Sequence, residues 1–437
     1  MTKPKTKLSS YEIVTIGCQM NQADSQRLAA FLNEAGFRPA RKGEKASAVI
    51  INTCGVRQSA EDRVYGLAEQ FRQRQPQSKI IITGCLSRRA DVRKRLAGRA
   101  DLFLPINEMF QLPDILSGKE FSPFYSLEEF RRRKGEPYLK IRPEAEQPGS
   151  AYLPIGNGCD NFCSYCVVPY ARGREVYRPF GDIVKDAQAL VASGIKEIVL
   201  LAQNVNSYRS RGKDFADLLA RLDKIPGDFW LRFASSHPKD MSLKLVRQLG
   251  RSDKVCRHLH LAVQSGDDEI LRAMNRRYTA KHYLDLLAKV RRHKPGISIT
   301  TDAIVGFPGE ARKQFLNTAK LFRQAAFALA YIAQYSPRPG TAAAELSDDV
   351  PRAEKKRREG ILTGILRRSA LAENKKFLGQ SVRVLVEGKN RQGRYYGKTS
   401  EYKTVVFSAP TRPDLSGRFV EVEITAAQDF GLQGKLV

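Results

Sequence analysis

Long apolar runs are missing from this 437-residue chain, and no uncharged stretch approaches the roughly 20 residues that a bilayer-spanning helix requires. Lys3, Lys5 and Lys7 stand near the start with no apolar segment behind them, so no export signal is read and a soluble, cytoplasmic protein with no membrane partner is expected. Acidic residues are scarce as well: 46 Asp and Glu face 74 Lys and Arg, a net charge of +28. Self-repulsion alone would keep such a chain in solution. The excess fits a polyanionic partner better, because Lys and Arg contacts to phosphate supply most of non-specific nucleic-acid affinity. The seven cysteines are an odd number in a chain without an export signal, which argues for reduced thiols rather than disulfides.

What is present is concentrated in Gly158-Cys159-Asp160-Asn161-Phe162-Cys163-Ser164-Tyr165-Cys166. Three thiolates spaced Cys-x3-Cys-x2-Cys on one loop can converge on an inorganic centre without long-range folding. A 4Fe-4S cube has four irons, so three protein thiolates leave one iron open to a small molecule, whereas a closed electron-transfer cluster takes four. A zinc site or three buried thiols are the alternatives, and zinc lacks the second paired hook that usually completes it.

The N-terminal segment alternates apolar strands and amphipathic helices: a strand over 11–17, a helix from about Asp24 to Glu34, a strand over 48–52, a helix over 58–74 and a strand over 79–83. Strands separated by helices form a parallel sheet whose C-terminal strand ends share one edge. Cys18, Cys54 and Cys85 each follow a strand end, so this topology gathers a second trio of thiols, flanked by Gly17, Gly55 and Gly84. Ordinary buried core cysteines are the alternative for each one taken singly. Residues 111–148 read as a connector that includes the basic run Arg131 to Lys134.

From Tyr152 six apolar strands are expected, over 152–155, 197–201, 229–233, 258–263, 298–305 and 328–334, with helices near 181–193, 214–224, 240–250, 268–294 and 310–325. Six such units make a partial (β/α)6 barrel, with its chemistry at the strand C-terminal ends. Gln203, Asn204, Ser235, Ser236, His237, Gln264 and Ser265 fall on that edge. Each taken singly could be a helix cap or turn residue, and together they suit a polar cofactor. Cys256 precedes a strand and reads as core. A basic helix is expected over 351–376. From Ser381 short alternating strands, over 382–387, 394–398, 403–407 and 418–424, give a small antiparallel β-barrel of the OB type. Tyr395, Tyr396, Tyr402 and Phe407, set among Lys389, Arg391, Arg394, Lys398 and Lys403, could stack on bases and hold phosphates, although a barrel core also needs some of those rings. The expected fold class is α/β throughout its first two parts: an N-terminal parallel domain over 1–147, a partial barrel with its helical extension over 148–376, and an RNA-binding barrel over 377–437.

At the level of motifs the chain resembles the methylthiotransferase branch of the radical S-adenosylmethionine enzymes, in three blocks that cover nearly its whole length. The runs that carry the resemblance include Gly17-Cys18-Gln19-Met20-Asn21, Asn52-Thr53-Cys54-Gly55-Val56-Arg57, Gly84-Cys85, Arg172-Gly173-Arg174-Glu175, Ser236-His237-Pro238, Val305-Gly306-Phe307-Pro308-Gly309-Glu310 and Tyr335-Ser336-Pro337-Arg338-Pro339-Gly340-Thr341. It departs from the pattern at Ala202, Ala262, Tyr177 and Ala311, where that branch usually has Gly, Pro, Ser and Thr. None of the four is a cysteine, and Ala202 and Ala262 lie near the expected cofactor edge.

The resemblance is greatest to the type that methylthiolates C2 of N6-dimethylallyladenosine beside the tRNA anticodon. It implies two 4Fe-4S clusters, on Cys18, Cys54 and Cys85 and on Cys159, Cys163 and Cys166. It also implies S-adenosylmethionine near Tyr165, Gln203, Gln264 and Ser265, and a C-terminal TRAM barrel. Arg172, Arg174 and Arg338 are expected on the substrate side, since guanidinium forks suit phosphates and planar bases; Lys389, Arg394, Lys398 and Lys403 are expected on the RNA. The expected partners are the tRNA anticodon stem-loop and a reductant such as a flavodoxin, the expected state is a monomer, and no protein acid or base is assigned. Sister activities on threonylcarbamoyladenosine or on a ribosomal-protein aspartate, and an RNA-binding iron-sulfur protein without turnover, are the alternatives.

Overall fold

The structure is a computed structural model that describes residues 10–56, 58–118, 139, 148–409 and 414–437. The basic run Arg131 to Lys134 and most of the expected connector lie outside the described residues, as do Arg57 and the first nine residues. The chain forms two compact units, the first comprising 1–144, 156–178 and 338–341, the second 145–155, 179–337 and 342–437.

In the first unit, β1 (Ser10–Thr15), α1 (Gln19–Glu34), β2 (Arg38–Pro39), β3 (Ala48–Thr53), α2 (Gln58–Arg74), β4 (Lys79–Gly84), α3 (Ala90–Arg95), β5 (Leu102–Phe103) and α4 (Leu112–Leu116) follow in sequence. The strands form a parallel sheet in the order β2-β1-β3-β4-β5. The run Ala48 to Thr53 is buried throughout, as expected for a central parallel strand covered on both faces. Two apolar clusters sandwich the sheet, one around Leu28, Leu32, Ile50, Ile81 and Met109, the other around Val49, Ile51, Val64, Ile80 and Ile82. Helix α1 begins five residues earlier than the sequence suggests. Its first turn is capped by Cys18, and the Asn21 side chain accepts a hydrogen bond from the Cys18 N–H at 3.3 Å.

After β6 (Ser150–Pro154), the segment β7 (Gly156–Asn157), α5 (Val168–Arg172) and β8 (Val176–Tyr177) belongs to the first unit, with β7 and β8 paired antiparallel. The second unit continues through α6 (Phe180–Ala192), β9 (Glu197–Leu201), β10 (Arg209–Ser210), β11 (Lys213–Asp214), α7 (Phe215–Asp223), β12 (Trp230–Phe233), α8 (Leu243–Arg251), β13 (His258–His260), α9 (Asp268–Ala273), α10 (Ala280–His293), β14 (Ser298–Val305), α11 (Arg312–Ala325) and β15 (Leu329–Gln334). β6, β9 and β12 form one parallel set and β13, β14 and β15 another; the parallel bridges Leu231–Val255 and Ser236–Leu261 join them. The helix expected over 268–294 is two helices. Asn275 turns left-handed with φ +55°, and Thr279 restarts the chain by accepting from the His282 N–H at 3.1 Å.

Helix α12 (Arg352–Lys375) leads to a closed barrel of β16 (Ser381–Lys389), β17 (Tyr395–Thr399), β18 (Thr404–Ser408), β19 (Phe419–Gln428) and β20 (Gly431–Leu436). The last strand is missing from the sequence expectation because Gly431 and Gly434 interrupt its pattern. Gly434 is required where it stands, since a β-carbon there would lie 2.4 Å from the Glu423 carbonyl. Tyr395 and Phe407 fill the barrel core, stacked at 5.8 Å, and are not base-stacking platforms.

The barrel packs on the first strands of its own unit. Trp230, the only tryptophan of the chain, meets Phe419 at 4.7 Å, beside Cys256 and Leu385. Arg232 is buried between the Glu197 carboxylate at 2.7 Å and the Thr399 and Ser400 carbonyls at 3.1 and 3.3 Å, and Tyr402 stacks on His258 at 4.6 Å. A buried guanidinium costs several kcal/mol unless so surrounded. Tyr402 and Lys403 therefore belong to the seam between barrel and core, a correction to their expected place on an RNA-facing surface. Lys398 turns back on Thr404, its Nζ donating to Oγ1 at 2.6 Å.

Burial brings the Lys403 ammonium down from 10.5 to about 8. Between those two values the unfolded chain holds a proton that the folded chain does not, so stability from this group rises with pH across that window, and charging the lysine below it weakens the fold. Lys403→Met is expected to raise the urea midpoint at pH 7, followed by Trp230 fluorescence, and to flatten the rise of that midpoint above pH 8; an unchanged pH dependence would contradict the burial.

Candidate metal centres and cofactor rim

β1, β3 and β4 run parallel with Thr15 beside Asn52 and Asn52 beside Thr83, so they end together. Cys54 and Cys85 are the residues next after β3 and β4, and Cys18 caps α1 after β1. A buried amide and hydroxyl network fixes this edge. Asn21 Nδ2 donates to Asn52 Oδ1 and to the Thr53 carbonyl, both at 3.0 Å; Asn52 Nδ2 donates to the Asn21 carbonyl at 2.8 Å and to Ser25 Oγ at 2.9 Å. Thr53 Oγ1 accepts from the Leu86 N–H at 3.1 Å, and the Cys85 N–H donates to the Thr53 carbonyl at 2.9 Å. Gly84 turns with φ +83°, and a β-carbon there would lie 2.3 Å from the Thr53 carbonyl, so the tight edge requires glycine.

The second trio lies on the loop between β7 and α5. Its base is a backbone link from the Cys159 N–H to the Gly173 carbonyl at 3.1 Å, with the Cys166 N–H donating to the Cys163 carbonyl at 2.9 Å. Gly158, with φ +81°, would place a β-carbon 2.1 Å from the Arg174 carbonyl. The two trios share the first unit. A β-carbon on Gly55 would lie 3.3 Å from Val167 and 3.4 Å from the Cys85 β-carbon, so the glycine after Cys54 is wedged between the residue after Cys166 and Cys85.

The electrostatics fit thiolates that need a cation. Burial pushes the Cys54 thiol up to about 12, with Cys85 and Cys18 adding to the rise and Arg172 opposing it. Burial likewise raises Cys18, again opposed by Arg172, and lifts Cys159 to about 11. Burial raises Cys166 too, with Cys163, Cys159 and Cys85 contributing. A metal bound by these thiols must displace their protons, and the metal-free protein favours the protonated form. Among the described residues no group of three or more His, Cys, Asp or Glu side chains is arranged to hold a metal ion. A four-iron cube places each thiolate on a separate iron and so spaces its ligands more widely. The donor set, three thiols and no acid or imidazole in either trio, suits that cube.

In the second unit the C-terminal strand ends carry the other candidate side chains. Gln203 Oε1, Asn204 Oδ1 and Ser236 Oγ are buried with no hydrogen-bond partner among the described residues. Ser235 and Gln264 hold left-handed backbone at φ +65° and +68°. Unsatisfied buried acceptors and strained backbone on one rim mark a binding site. Ser265 is fully buried, with its Oγ 3.2 Å from Thr318 Oγ1 and accepting from the Asp267 N–H at 3.2 Å, so it builds the start of α9 and is not free for a cofactor, a correction to its expected role. Burial takes His237 down to about 2, and its Nδ1 accepts from the Lys239 N–H at 3.2 Å. Below the rim, His260 Nε2 meets Asp302 Oδ2 at 3.2 Å and His260 Nδ1 meets Thr300 Oγ1 at 3.0 Å, a polar group that sequence reasoning missed. The alternation His258-Leu259-His260 was the available signal.

The basic candidates divide. Arg172 is 2% exposed and bound to Asp24 and Asn157, and Arg338 is held by Gln58 at 2.8 Å, the Val56 carbonyl at 3.1 Å and Glu61 at 3.4 Å. Both forks are spent inside the first unit, contrary to the expectation of a substrate-facing role. Arg174 is open, lies over Phe162 and pairs with Asp160 at 2.9 Å. Lys389 is exposed with its Nζ 4.6 Å from the Tyr395 ring centre, and Arg394 and Tyr165 are half-buried.

The Radical SAM superfamily model matches residues 153–322, the TRAM domain model residues 375–437, and the model described as uncharacterized protein family UPF0004 residues 10–104. These matches define a radical S-adenosylmethionine protein with an added barrel, a class that brings S-adenosylmethionine and a 4Fe-4S cluster. Solved structures agree at the level of fold. The radical S-adenosylmethionine methyltransferase TsrM from Kitasatospora setae aligns with a TM-score of 0.57 at 15% identity, over 78% of this chain and 77% of its own. The cobalamin-dependent enzyme OxsB aligns at 0.52 and 11%, over 82% and 55%. Among curated relatives, tRNA-2-methylthio-N(6)-dimethylallyladenosine synthase of Moorella thermoacetica is 40% identical over 98% of both chains, and that of Syntrophomonas wolfei is 39% identical over 100% of this chain and 99% of its own. The chain belongs to the family of tRNA-2-methylthio-N(6)-dimethylallyladenosine synthases. No helix among the described residues is long and apolar enough to cross a membrane.

Gln203→Leu removes an acceptor that has no protein partner, so the ligand-free chain is expected to melt no lower than the parent, while affinity for S-adenosylmethionine in anaerobic equilibrium dialysis falls about tenfold.

Proposed function

We propose that this chain adds a methylthio group to C2 of N6-dimethylallyladenosine in tRNA, using two iron-sulfur centres. The observation that carries the reading is the presence of both cysteine trios in one compact unit, with Gly55 wedged between Val167 and Cys85. Cys159, Cys163 and Cys166 would hold a 4Fe-4S cluster that supplies an open iron for the amino and carboxylate groups of S-adenosylmethionine, and the electron that cleaves it to methionine and a 5′-deoxyadenosyl radical. Cys18, Cys54 and Cys85 would hold a second cluster, which would supply the sulfur of the methylthio group; its methyl would come from a further S-adenosylmethionine, and the C2 hydrogen would leave with the 5′-deoxyadenosyl group.

The chain's own residues do the remaining work. Gln203 offers its unsatisfied carbonyl to the cofactor, and the backbone at Gln264 would bound it; Ala202 and Ala262 shape the same rim. C2 of adenine carries no acidic hydrogen, so no side chain is assigned as acid or base. Arg174 and Lys389, which are exposed, and the half-buried Arg394 are the proposed phosphate contacts, whereas Arg172, Arg338 and Lys403 are buried. The electron requires an external donor such as a flavodoxin.

Two variants separate the centres. Cys163→Ala is expected to abolish formation of 5′-deoxyadenosine. Cys54→Ala is expected to keep some abortive cleavage of S-adenosylmethionine and to lose methylthiolation, measured by nucleoside mass analysis of tRNA lacking only the methylthio group. Normal product from either variant would sink the proposal.

A further inference from the structure

Arg172 has the character of a substrate-binding guanidinium in the sequence and is unavailable to substrate in the structure. It ends α5, six residues after Cys166, and its side chain is 2% exposed. One arm donates to Asp24 Oδ2 at 2.7 Å, and Asp24 is itself fully buried on α1, the helix that Cys18 caps. The other arm donates to Asn157 Oδ1 at 3.1 Å, and Asn157 Nδ2 returns a bond to the Arg172 carbonyl at 3.2 Å. Asn157 ends β7, immediately before Gly158 and Cys159, and the next carbonyl after Arg172, that of Gly173, receives the Cys159 N–H. One side chain therefore ties the helix that starts at Cys18 to the strand that leads into Cys159.

We propose that Arg172 is a positioning residue that fixes the separation of the two cysteine trios through its fork to Asp24 and Asn157. This rests on the two-centre reading above. Only a planar fork serves both arms. A lysine would retain the charge beside Asp24 and lose the span to Asn157. Charge and geometry are thus separable by substitution.

The test uses the full chain, purified anaerobically and reconstituted with iron and sulfide, as wild type, Arg172→Lys, Arg172→Gln and Asn157→Ser. Iron per chain, the reduction potentials followed by electron paramagnetic resonance, and the ratio of 5′-deoxyadenosine to methylthiolated tRNA are measured. Arg172→Gln, which breaks the ion pair with Asp24, is expected to raise the ratio of cleavage to product at least as far as the other two substitutions. Arg172→Lys and Asn157→Ser are expected to keep both potentials and to raise the ratio of cleavage to product about tenfold or more, as a misplaced reacting centre does. If Arg172→Gln fails to fold, the other two substitutions, which keep the ion pair with Asp24 available, decide the matter. Wild-type coupling in both Arg172→Lys and Asn157→Ser would overturn the positioning role while the two centres stand. Wild-type protein with iron for only one cube would overturn the two-centre reading, and this role with it.

Discussion

The parallel register of β1, β3 and β4 is the constraint on which the site depends. Three strands that end together turn cysteines far apart in sequence into neighbours, and the Asn21, Asn52 and Thr53 network prevents those ends from fraying. The cost of that arrangement is visible in the thiols themselves. Cys18 is exposed and Cys54 buried, yet both thiols are drawn away from water and lie in the field of their neighbours, so in the protein alone the edge favours their protonated form and a metal must replace those protons to bind. The Cys159 loop meets the same condition by a shorter route, three thiols on one turn closed by the Cys159 to Gly173 link.

The second unit contributes a different kind of precision. Its rim holds acceptors without protein partners and backbone in left-handed conformation, while the opposite strand ends are sealed by the C-terminal barrel through Arg232, Trp230 and Tyr402. The rim lies at the strand ends where a (β/α) fold places its chemistry.

Much of this architecture is legible in the order of the residues alone. Apolar runs with intervening helices specify the parallel strands, and cysteines placed just beyond strand ends specify the trio of Cys18, Cys54 and Cys85, because the topology of parallel strands makes position along a strand equivalent to position in space; the trio on the Cys159 loop is specified by its own spacing. The partners of charged residues are not legible in that way. Arg172 looks like a free guanidinium until Asp24, 148 residues away, is brought beside it, and Arg338 until Gln58 is. Tyr402 and Lys403 carry the signature of an RNA-binding hairpin, yet Tyr402 is set against His258 and Arg232 of the core and Lys403 is buried. β20 escapes the sequence pattern for a local reason, Gly431 and Gly434 in its run, of which close barrel packing demands Gly434, whereas the break between α9 and α10 is marked by the cap at Thr279.

The family explains the overall charge through its RNA substrate, and the two trios explain why the N-terminal sheet exists at all. A native mass spectrum of the full chain, purified and sprayed without oxygen, addresses that pairing directly. Two 4Fe-4S increments are expected on the intact chain, falling to one when Cys18, Cys54 and Cys85 are all replaced by alanine. A single increment on the unaltered chain, or zinc in place of either cube, would contradict it.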